Sequence, residues 1–276
     1  MTIVQIFEEK ELTRIYKLRD IGKGGNGQVL IIGGSSLFHG APILSLKTAS
    51  RIVDMVFFSS PEPSVGTTAC QLKSQIGSFI WVPFNHIEEY LVKSDAALIG
   101  PGLMRYRKKD ESSSNKNGKR TKKMTESLLT RFPQKQWVID AGSLHVIDKK
   151  FIPPQAILTP NRGEYEALFG KEKPAKVAKN NHCILVFKNA QTEVFSPSEE
   201  KLVKGGNTGL VKGGTGDVLA GLSVALAAKN PPFWSACAAS FIVKKAADEL
   251  YQKVGFAYNA DDLAEKIPEV LGKYLR

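Results

Sequence analysis

Residues 212–221 hold the stretch from which the fold of this chain can be worked out: Lys212-Gly213-Gly214-Thr215-Gly216-Asp217-Val218-Leu219-Ala220-Gly221. Its glycines let the backbone turn and approach a ligand closely, and they lead into an apolar segment that favours a helix. The first N–H groups of such a helix have no partner within it, and the helix dipole favours a phosphate oxygen there. The stretch therefore predicts an anion site beside the Asp217 carboxylate. That carboxylate is either a general base that deprotonates an attacking hydroxyl or a helix cap after a glycine turn.

Outward from this stretch, short apolar runs alternate with helical patterns, which is typical of a largely parallel sheet covered by helices. The predicted strands are residues 29–32, 55–58, 78–82, 95–99, 136–140, 156–160 and 183–188. Several of them end in Gly, Pro, Asp, Thr or Lys, and open parallel sheets bind ligands at the carboxyl ends of their strands. The sequence therefore predicts an α/β fold with its site at that edge.

The remaining segments add one hairpin and several helices. A helix is predicted over residues 41–54, and a hairpin joins strands over 193–195 and 201–203. Helices follow from Thr215, where a proline pair at 231–232 divides the first two and an aspartate pair at 261–262 caps the last.

Composition indicates an ordinary globular protein. The 276 residues are 42% hydrophobic and 24% charged. We expect a single domain over 1–276, with an N-terminal extension over 1–25, because no Pro/Gly/Ser-rich linker divides the chain. No apolar run reaches membrane-spanning length and the first residues lack a signal pattern, so we predict a cytoplasmic location without a membrane partner. The three cysteines and four histidines are scattered, which favours neither disulfides nor a transition-metal site.

Positive charge is concentrated in one segment. The net charge of the chain is +11, and residues 105–123 contain nine Lys or Arg against two acidic residues. Tyr106 is the one aromatic residue there, so base stacking on nucleic acid is not favoured. We predict a solvated basic loop over 105–123; the alternative is that it attracts an anionic substrate to a nearby cleft.

Five blocks in this order resemble the ribokinase-like superfamily, and within it the NAD(P)H-hydrate dehydratases. The blocks are Gly213 to Gly221, Gly33-Gly34-Ser35 with Gly40-Ala41-Pro42, Gly100-Pro101-Gly102-Leu103, Val138-Ile139-Asp140-Ala141, and Leu158-Thr159-Pro160-Asn161-Arg162-Gly163-Glu164. The resemblance covers nearly the whole chain after about residue 20. It implies a ribokinase-like α/β fold, with a central, mostly parallel sheet flanked by helices on both faces.

The resemblance also implies a reaction. Such enzymes restore NADH and NADPH from their (6S) hydrates: ADP or ATP phosphorylates the ring hydroxyl, and phosphate then leaves by elimination. Asp217 is expected to be the base, and the N–H groups of Gly214, Thr215 and Gly216 are expected to stabilise the transferred phosphoryl group. ADP, by resemblance to prokaryotic members, and Mg²⁺ are the expected co-substrate and cofactor. A small-molecule kinase of the same fold, for hydroxyethylthiazole or pyridoxal, is the alternative.

Two sets of residues match the family's binding positions. Ala41, Gly102, Asn161 and Asp217 fall where the family binds the hydrate, although the small residues Ala41 and Gly102 also suit close packing of helix on strand. Asn161 stands where bacterial members have His. Asn161 and Glu164 either hold Mg²⁺ through water or form a capping box, and the sequence leaves both open.

The nucleotide segment of the family matches Lys188, Asn189, Ala190, Gln191 and Thr192, together with Gly216. Asn189 replaces a glycine. Asp140 is either a site carboxylate or a helix cap, and the role of Lys212 stays open. The resemblance further implies a homo-oligomer and a functional link to an NAD(P)H-hydrate epimerase, which we expect either to be a separate protein or to be dispensable.

Overall fold

A computed structural model describes residues 4–15, 22, 24–106, 116–189 and 191–274, and within them the protein forms one sheet of ten strands. The strands are β1 (Gln5–Ile6), β2 (Gln28–Ile32), β3 (Met55–Ser59), β4 (Ile80–Trp81), β5 (Ala96–Ile99), β6 (Gln136–Ile139), β7 (Ile157–Leu158), β8 (Ile184–Lys188), β9 (Thr192–Phe195) and β10 (Glu200–Val203). Their order is β1-β10-β9-β8-β7-β6-β5-β2-β3-β4. Of these described strands, β9 alone runs opposite to the others.

Helices cover both faces of the sheet. In the described residues they are α1 (Gly40–Ala49), α2 (Pro63–Leu72), α3 (Ile87–Lys93), α4 (Lys116–Arg131), α5 (Ala141–Leu144), α6 (Arg162–Phe169), α7 (Pro174–Asn180), α8 (Thr215–Ala227), α9 (Pro232–Val254) and α10 (Ala260–Tyr274). Along β2, Val29 and Ile31 face α1, α2 and α8 to α10, whereas Leu30 and Ile32 face α3 to α7. Burial on both faces explains why the strands are continuously apolar. The predicted α/β class and its two helical layers are confirmed.

The predicted strands are all present, but several are shorter than predicted. Only Ile80–Trp81 of residues 78–82 and Ile157–Leu158 of residues 156–160 pair as strands. The helix predicted over 41–54 ends at Ala49, because Asp54 turns back and donates its N–H to the Gly27 carbonyl. None of the described helices is long and apolar enough to cross a membrane.

The predicted cap of the last helix is wrong. Asn259, not the Asp261–Asp262 pair, caps α10: its side-chain oxygen accepts the N–H groups of Asp261 and Asp262 at 2.8 and 3.0 Å. In turn, the Asn259 N–H donates to Asp262 Oδ2 at 2.8 Å. Both aspartates therefore lie inside the first turn, where they complement the helix dipole.

The described part of the predicted N-terminal extension belongs to the sheet. β1 pairs parallel with β10, and Phe7 and Leu12 are buried beside it. The ring of Phe7 packs against Trp234 and Phe241 of α9. Residues 4–15 therefore cover the sheet edge that β10 would otherwise expose.

The predicted basic loop over 105–123 is wrong for its second half, because residues 116–123 begin α4. This helix buries Gly118, Thr121, Thr125, Leu128 and Leu129, which share one face at helical spacing. The high lysine content concealed that face in the sequence. Residues 107–115 of the predicted loop lie outside the described residues.

Candidate active site

The candidate site lies at the carboxyl ends of the strands, where three loops pack backbone against backbone. Gly100 and Gly102 follow β5 with φ of 128° and 70°. A Cβ added to Gly100 would lie 1.8 Å from the Asp140 carbonyl oxygen, and one added to Gly102 would lie 2.5 Å from the Phe38 carbonyl oxygen. Close packing, one of the two readings of Gly102, is therefore observed, and its contact with substrate stays a prediction.

Asp217 is the third residue of α8, so it is not the cap of that helix. The N-cap is Gly214, whose φ of 92° is left-handed. A Cβ on Gly214 would lie 2.5 Å from Leu44 Cδ1 and 2.7 Å from the Cβ of Ala260. Ser45 of α1 donates its hydroxyl to the Asp217 carbonyl oxygen at 2.8 Å. The first turn of α8 is thus fixed against α1 and α10. Its residues Gly214, Thr215 and Gly216 line the cleft described below, and the Thr215 N–H donates to the Lys212 carbonyl oxygen at 3.4 Å.

Opposing influences act on the protonation of the Asp217 carboxyl. Burial raises the pKa of its carboxyl to about 7, with a further rise from Asp140 and a lowering by Lys188. A carboxyl with a pKa near neutrality is an effective general base at physiological pH, because it is both partly deprotonated and strongly basic. The capping alternative for Asp217 is wrong, because Gly214 is the N-cap, and the role of Asp217 as general base stays a prediction.

Lys188 ends β8 and Asp140 follows β6, and their side chains meet across the end of β7, which lies between these strands. The Lys188 ammonium donates to Asp140 Oδ1 at 3.4 Å, and the Thr159 hydroxyl donates to the same oxygen at 2.7 Å. Burial raises the pKa of the Asp140 carboxyl. Burial lowers the pKa of Lys188, but the charges of Asp140, Glu164 and Asp217 raise it by more. The pKa therefore lies above its ordinary value, and the lysine is charged. Asp140 occupies the N-cap position of α5, but its side chain makes no capping hydrogen bond there. It lines the cleft described below, and its role as a site carboxylate stays a prediction.

Asn161 and Glu164 form the capping box of α6. The Glu164 N–H donates to the Asn161 side-chain oxygen at 3.0 Å, and the Asn161 N–H donates to Glu164 Oε2 at 2.8 Å. The other oxygen, Oε1, lies 3.5 Å from His145 Nε2, and that nitrogen lies 2.8 Å from Arg105 Nη1. Burial raises the pKa of Glu164, but its hydrogen bond with His145 and the charge of Lys188 lower it overall.

The capping box decides the structural role of this pair and leaves its magnesium role a prediction. Within the described part of the chain, no group of three or more His, Cys, Asp or Glu residues is arranged to hold a metal ion directly. The sequence placed Arg105 only at the start of the basic segment and His145 only among four scattered histidines, so it did not predict that either lies beside Glu164.

A cleft of about 860 Å³ joins most of the predicted residues. Its lining includes Asp140, Asn161, Glu164, Lys188, Asn189, Thr192, Gly214, Thr215, Gly216 and Asp217. Ala41 and Gly102 lie outside this lining, near the start of α1, where a Cβ on Gly102 would meet the Phe38 carbonyl oxygen and Pro42 Cδ. Gln191 also lies outside it, and Ala190 is not among the described residues. The cleft therefore unites the predicted base, most of the nucleotide positions and Asn161 of the hydrate positions, and it does not include Ala41 and Gly102.

Two side chains beside the glycine cradle, which is residues 213–216, make hydrogen bonds that hold the backbone in place. The Thr215 hydroxyl lies 2.7 and 2.9 Å from the carbonyl oxygens of Leu210 and Lys212. The Lys212 ammonium donates to the carbonyl oxygens of Phe256 and Tyr258 at 2.5 and 2.6 Å. Lys212 therefore ties the cradle to the connection between α9 and α10, which answers the question that the sequence left open.

Comparison with known proteins shows which family this chain belongs to. The family profile described as NAD(P)H-hydrate dehydratase matches residues 29–269. The chain belongs to the NAD(P)H-hydrate dehydratase family. All five sequence blocks of the resemblance fall within the matched range.

Individual relatives agree with this membership. The ADP-dependent (S)-NAD(P)H-hydrate dehydratase of Nitrosopumilus maritimus is 32% identical over 277 residues, which cover 90% of each chain. The bifunctional NAD(P)H-hydrate repair enzyme Nnr of Methanocaldococcus jannaschii is 37% identical over 261 residues, which cover 90% of this chain and 49% of that protein. The chain thus spans about half the length of the bifunctional relatives it matches.

The fold of the family is also shared. The ADP/ATP-dependent NAD(P)H-hydrate dehydratase from Bacillus subtilis, co-crystallised with ATP and Mg²⁺, aligns with a TM-score of 0.79 at 22% identity. The alignment covers 99% of this chain and 100% of that one. The predicted ribokinase-like fold is therefore confirmed.

Proposed function

We propose that this protein is an ADP-dependent dehydratase that converts the (6S) hydrates of NADH and NADPH back to the cofactors. The observation that carries the proposal is Asp217, which has a pKa near 7 and lies in the first turn of α8 beside Lys188 and an 860 Å³ cleft. A proton acceptor in the first turn of a helix whose N-terminal residues line the cleft suits the transfer of a phosphoryl group to a hydroxyl. ATP is the alternative phosphoryl donor.

In the proposed reaction, Asp217 removes the proton from the ring hydroxyl of the hydrate as the hydroxyl oxygen attacks the terminal phosphorus of ADP. The bond from that phosphorus to the bridging oxygen breaks, and AMP leaves. The N–H groups of Gly214, Thr215 and Gly216 stabilise the charge on the transferred group. The ring nitrogen then supplies the electron pair that expels phosphate, and loss of a ring proton restores the NADH double bond.

Nucleotide and hydrate are assigned to two sets of residues around Asp217. Lys188, Asn189, Ala190, Gln191, Thr192 and Gly216 are proposed to bind the nucleotide; Ala41, Gly102, Asn161 and Asp217 are proposed to bind the hydrate. The position of α1 supports the second set, because Ala41 precedes by one helical turn the Ser45 hydroxyl that bonds to the Asp217 backbone.

Mg²⁺ fits the chemistry of the cleft. Glu164 and Asn161 present carboxylate and amide oxygens, the donors that Mg²⁺ prefers, and a hydrated ion needs few direct ligands. When bound, the ion would neutralise charge on the phosphates of the nucleotide. The two residues would hold it through water.

The test is to incubate the protein with hydrated NADH, Mg²⁺ and either ADP or ATP, and to follow the return of NADH absorbance. We expect recovery with ADP, and none without a nucleotide. A folded protein that restores no NADH with either nucleotide, but phosphorylates hydroxyethylthiazole or pyridoxal, would instead be the small-molecule kinase of the same fold.

Other expectations stay predictions. They are a homo-oligomer, a cytoplasmic location, a functional link to an NAD(P)H-hydrate epimerase, and no nucleic-acid partner. Nnr relatives that are described as bifunctional and are about twice as long support the epimerase link.

A further inference from the structure

Lys244 is a buried cation that the reaction described above does not use. It lies in the middle of α9 with 6% of its surface exposed, and it lines the same cleft as Asp217. Among the described residues, its ammonium has one hydrogen-bond acceptor, the Gly205 carbonyl oxygen at 2.8 Å. An ammonium carries three N–H donors, so two remain for a ligand in the cleft.

Asp248 is the carboxylate whose charge acts on Lys244, but its oxygens accept hydrogen bonds from other groups. Asp248 Oδ2 accepts the Gly206 N–H at 3.1 Å, and Asp248 Oδ1 accepts from the side-chain amide of Asn207 at 3.3 Å. Burial lowers the pKa of Lys244, and the charge of Asp248 offsets only part of that effect. A buried charge without a close partner of opposite charge is unfavourable, and an anionic ligand would relieve that cost.

The other lysines that line the cleft already have partners for their ammonium groups. Lys188 faces the carboxylates of Asp140, Glu164 and Asp217, and Lys212 donates to two backbone carbonyls. Around Lys188 the carboxylates outnumber the cation, so that end of the cleft offers a phosphate chain little net positive charge from side chains. Lys244 is also a buried cation in this lining, and within the described residues no carboxylate contacts its ammonium.

The loop opposite Lys244 holds the lysine in place. Gly205 and Gly206 have φ of 91° and 82°, and a Cβ on Gly206 would lie 3.1 Å from Lys244 Cγ. The backbone of this loop therefore packs directly on the lysine stem, which leaves the side chain little freedom to leave the cleft.

We propose that the Lys244 ammonium binds a phosphate oxygen of the nucleotide and so sets the affinity of the cleft for ADP. The proposal rests on the proposed use of a nucleotide by this protein. It makes Lys244 a nucleotide-binding residue that the family motifs at 188–192 and 213–221 do not include.

Calorimetric titration with ADP and with adenosine, on wild type and three variants, tests this role. Lys244→Gln keeps a donor for the Gly205 carbonyl and removes the charge, whereas Lys244→Met removes both. Lys245→Gln is the matched control, since Lys245 is the next residue of α9 and lies outside the cleft lining, with its ammonium 5.3 Å from the Phe241 ring centre. Melting curves report folding.

We expect both Lys244 variants to bind ADP at least about tenfold more weakly, because a hydrogen bond to a charged group is lost, and to bind adenosine as wild type does. Lys245→Gln should bind both ligands normally. Unchanged ADP affinity in folded Lys244→Gln, or an equal loss for ADP and adenosine, overturns the assignment alone. A wild-type protein that binds no ADP overturns the proposed function together with it.

Discussion

At the scale of single residues, the chemistry depends on how Asp217 is surrounded. Burial and the Asp140 carboxylate disfavour its charge, and Lys188 favours it. Asp140 and Lys188 lie at the ends of β6 and β8, and Asp217 lies in the first turn of α8, so the three residues are far apart in the chain. The sequence identified Asp217 and Lys188 through contiguous motifs. It gave no sign of the contact between Lys188 and Asp140, or of His145 beside Glu164, because such contacts depend on tertiary packing.

The pH dependence of turnover follows from the pKa of Asp217. A general base acts when deprotonated, so kcat/KM should rise with pH up to about 7 and then level off, falling about tenfold per unit below that value. In Lys188→Met the cation that lowers this pKa is gone, so the acidic limb should move to higher pH. A limb that stays in place, or moves to lower pH, would contradict the assignment of Asp217 as the base.

At the scale of elements, the helices and strands were predictable where pattern and burial agree. β2, β3, β5, β6 and β8 were clear because residues buried on both faces form unbroken apolar runs. β1 was missed because it is two residues long and gains its stability by pairing with β10. The start of α4 was missed because five lysines and arginines at 116–123 conceal a buried stripe of small residues.

The start of α8 offers an element-scale test. Gly214→Ala should destabilise the fold by about 1–3 kcal/mol, because its backbone is left-handed and the new methyl group would clash with Leu44 and Ala260. Gly213→Ala is the matched control, since its added methyl group meets nothing within 4 Å. Urea denaturation measures both. Equal stability of the two variants would show that the cradle does not require the left-handed glycine.

At the scale of the whole molecule, charge is placed relative to the site. α4 follows β5, so its basic first turns begin at the site edge of the sheet, whereas α6 runs from Asn161 toward the opposite edge. The predicted loop could not reveal this placement, because it depends on the direction of α4. Whether the basic segment attracts the anionic hydrate is therefore a question about long-range electrostatics.

Exchanging lysines at the two ends of the sheet answers that question. Lys116→Gln with Lys123→Gln removes two exposed charges near the site edge, and Lys171→Gln with Lys173→Gln removes two beyond the far end of α6. If α4 attracts the hydrate, the first pair should raise KM at low salt and have little effect at high salt, where charges are screened. The second pair should have little effect on KM at any salt concentration. Equal effects of the two pairs would exclude attraction by α4.

In the proposed reaction, the Asp217 carboxylate lies between a nucleotide and a hydroxylated dinucleotide. The most direct test is to compare wild type with Asp217→Asn for ADP-dependent recovery of NADH from its hydrate, with ADP binding measured on the same samples. We predict that the variant binds ADP nearly as wild type does and turns over at least about 10²-fold more slowly, the scale for a lost general base. An Asp217→Asn protein that restores NADH at the wild-type rate would contradict the account.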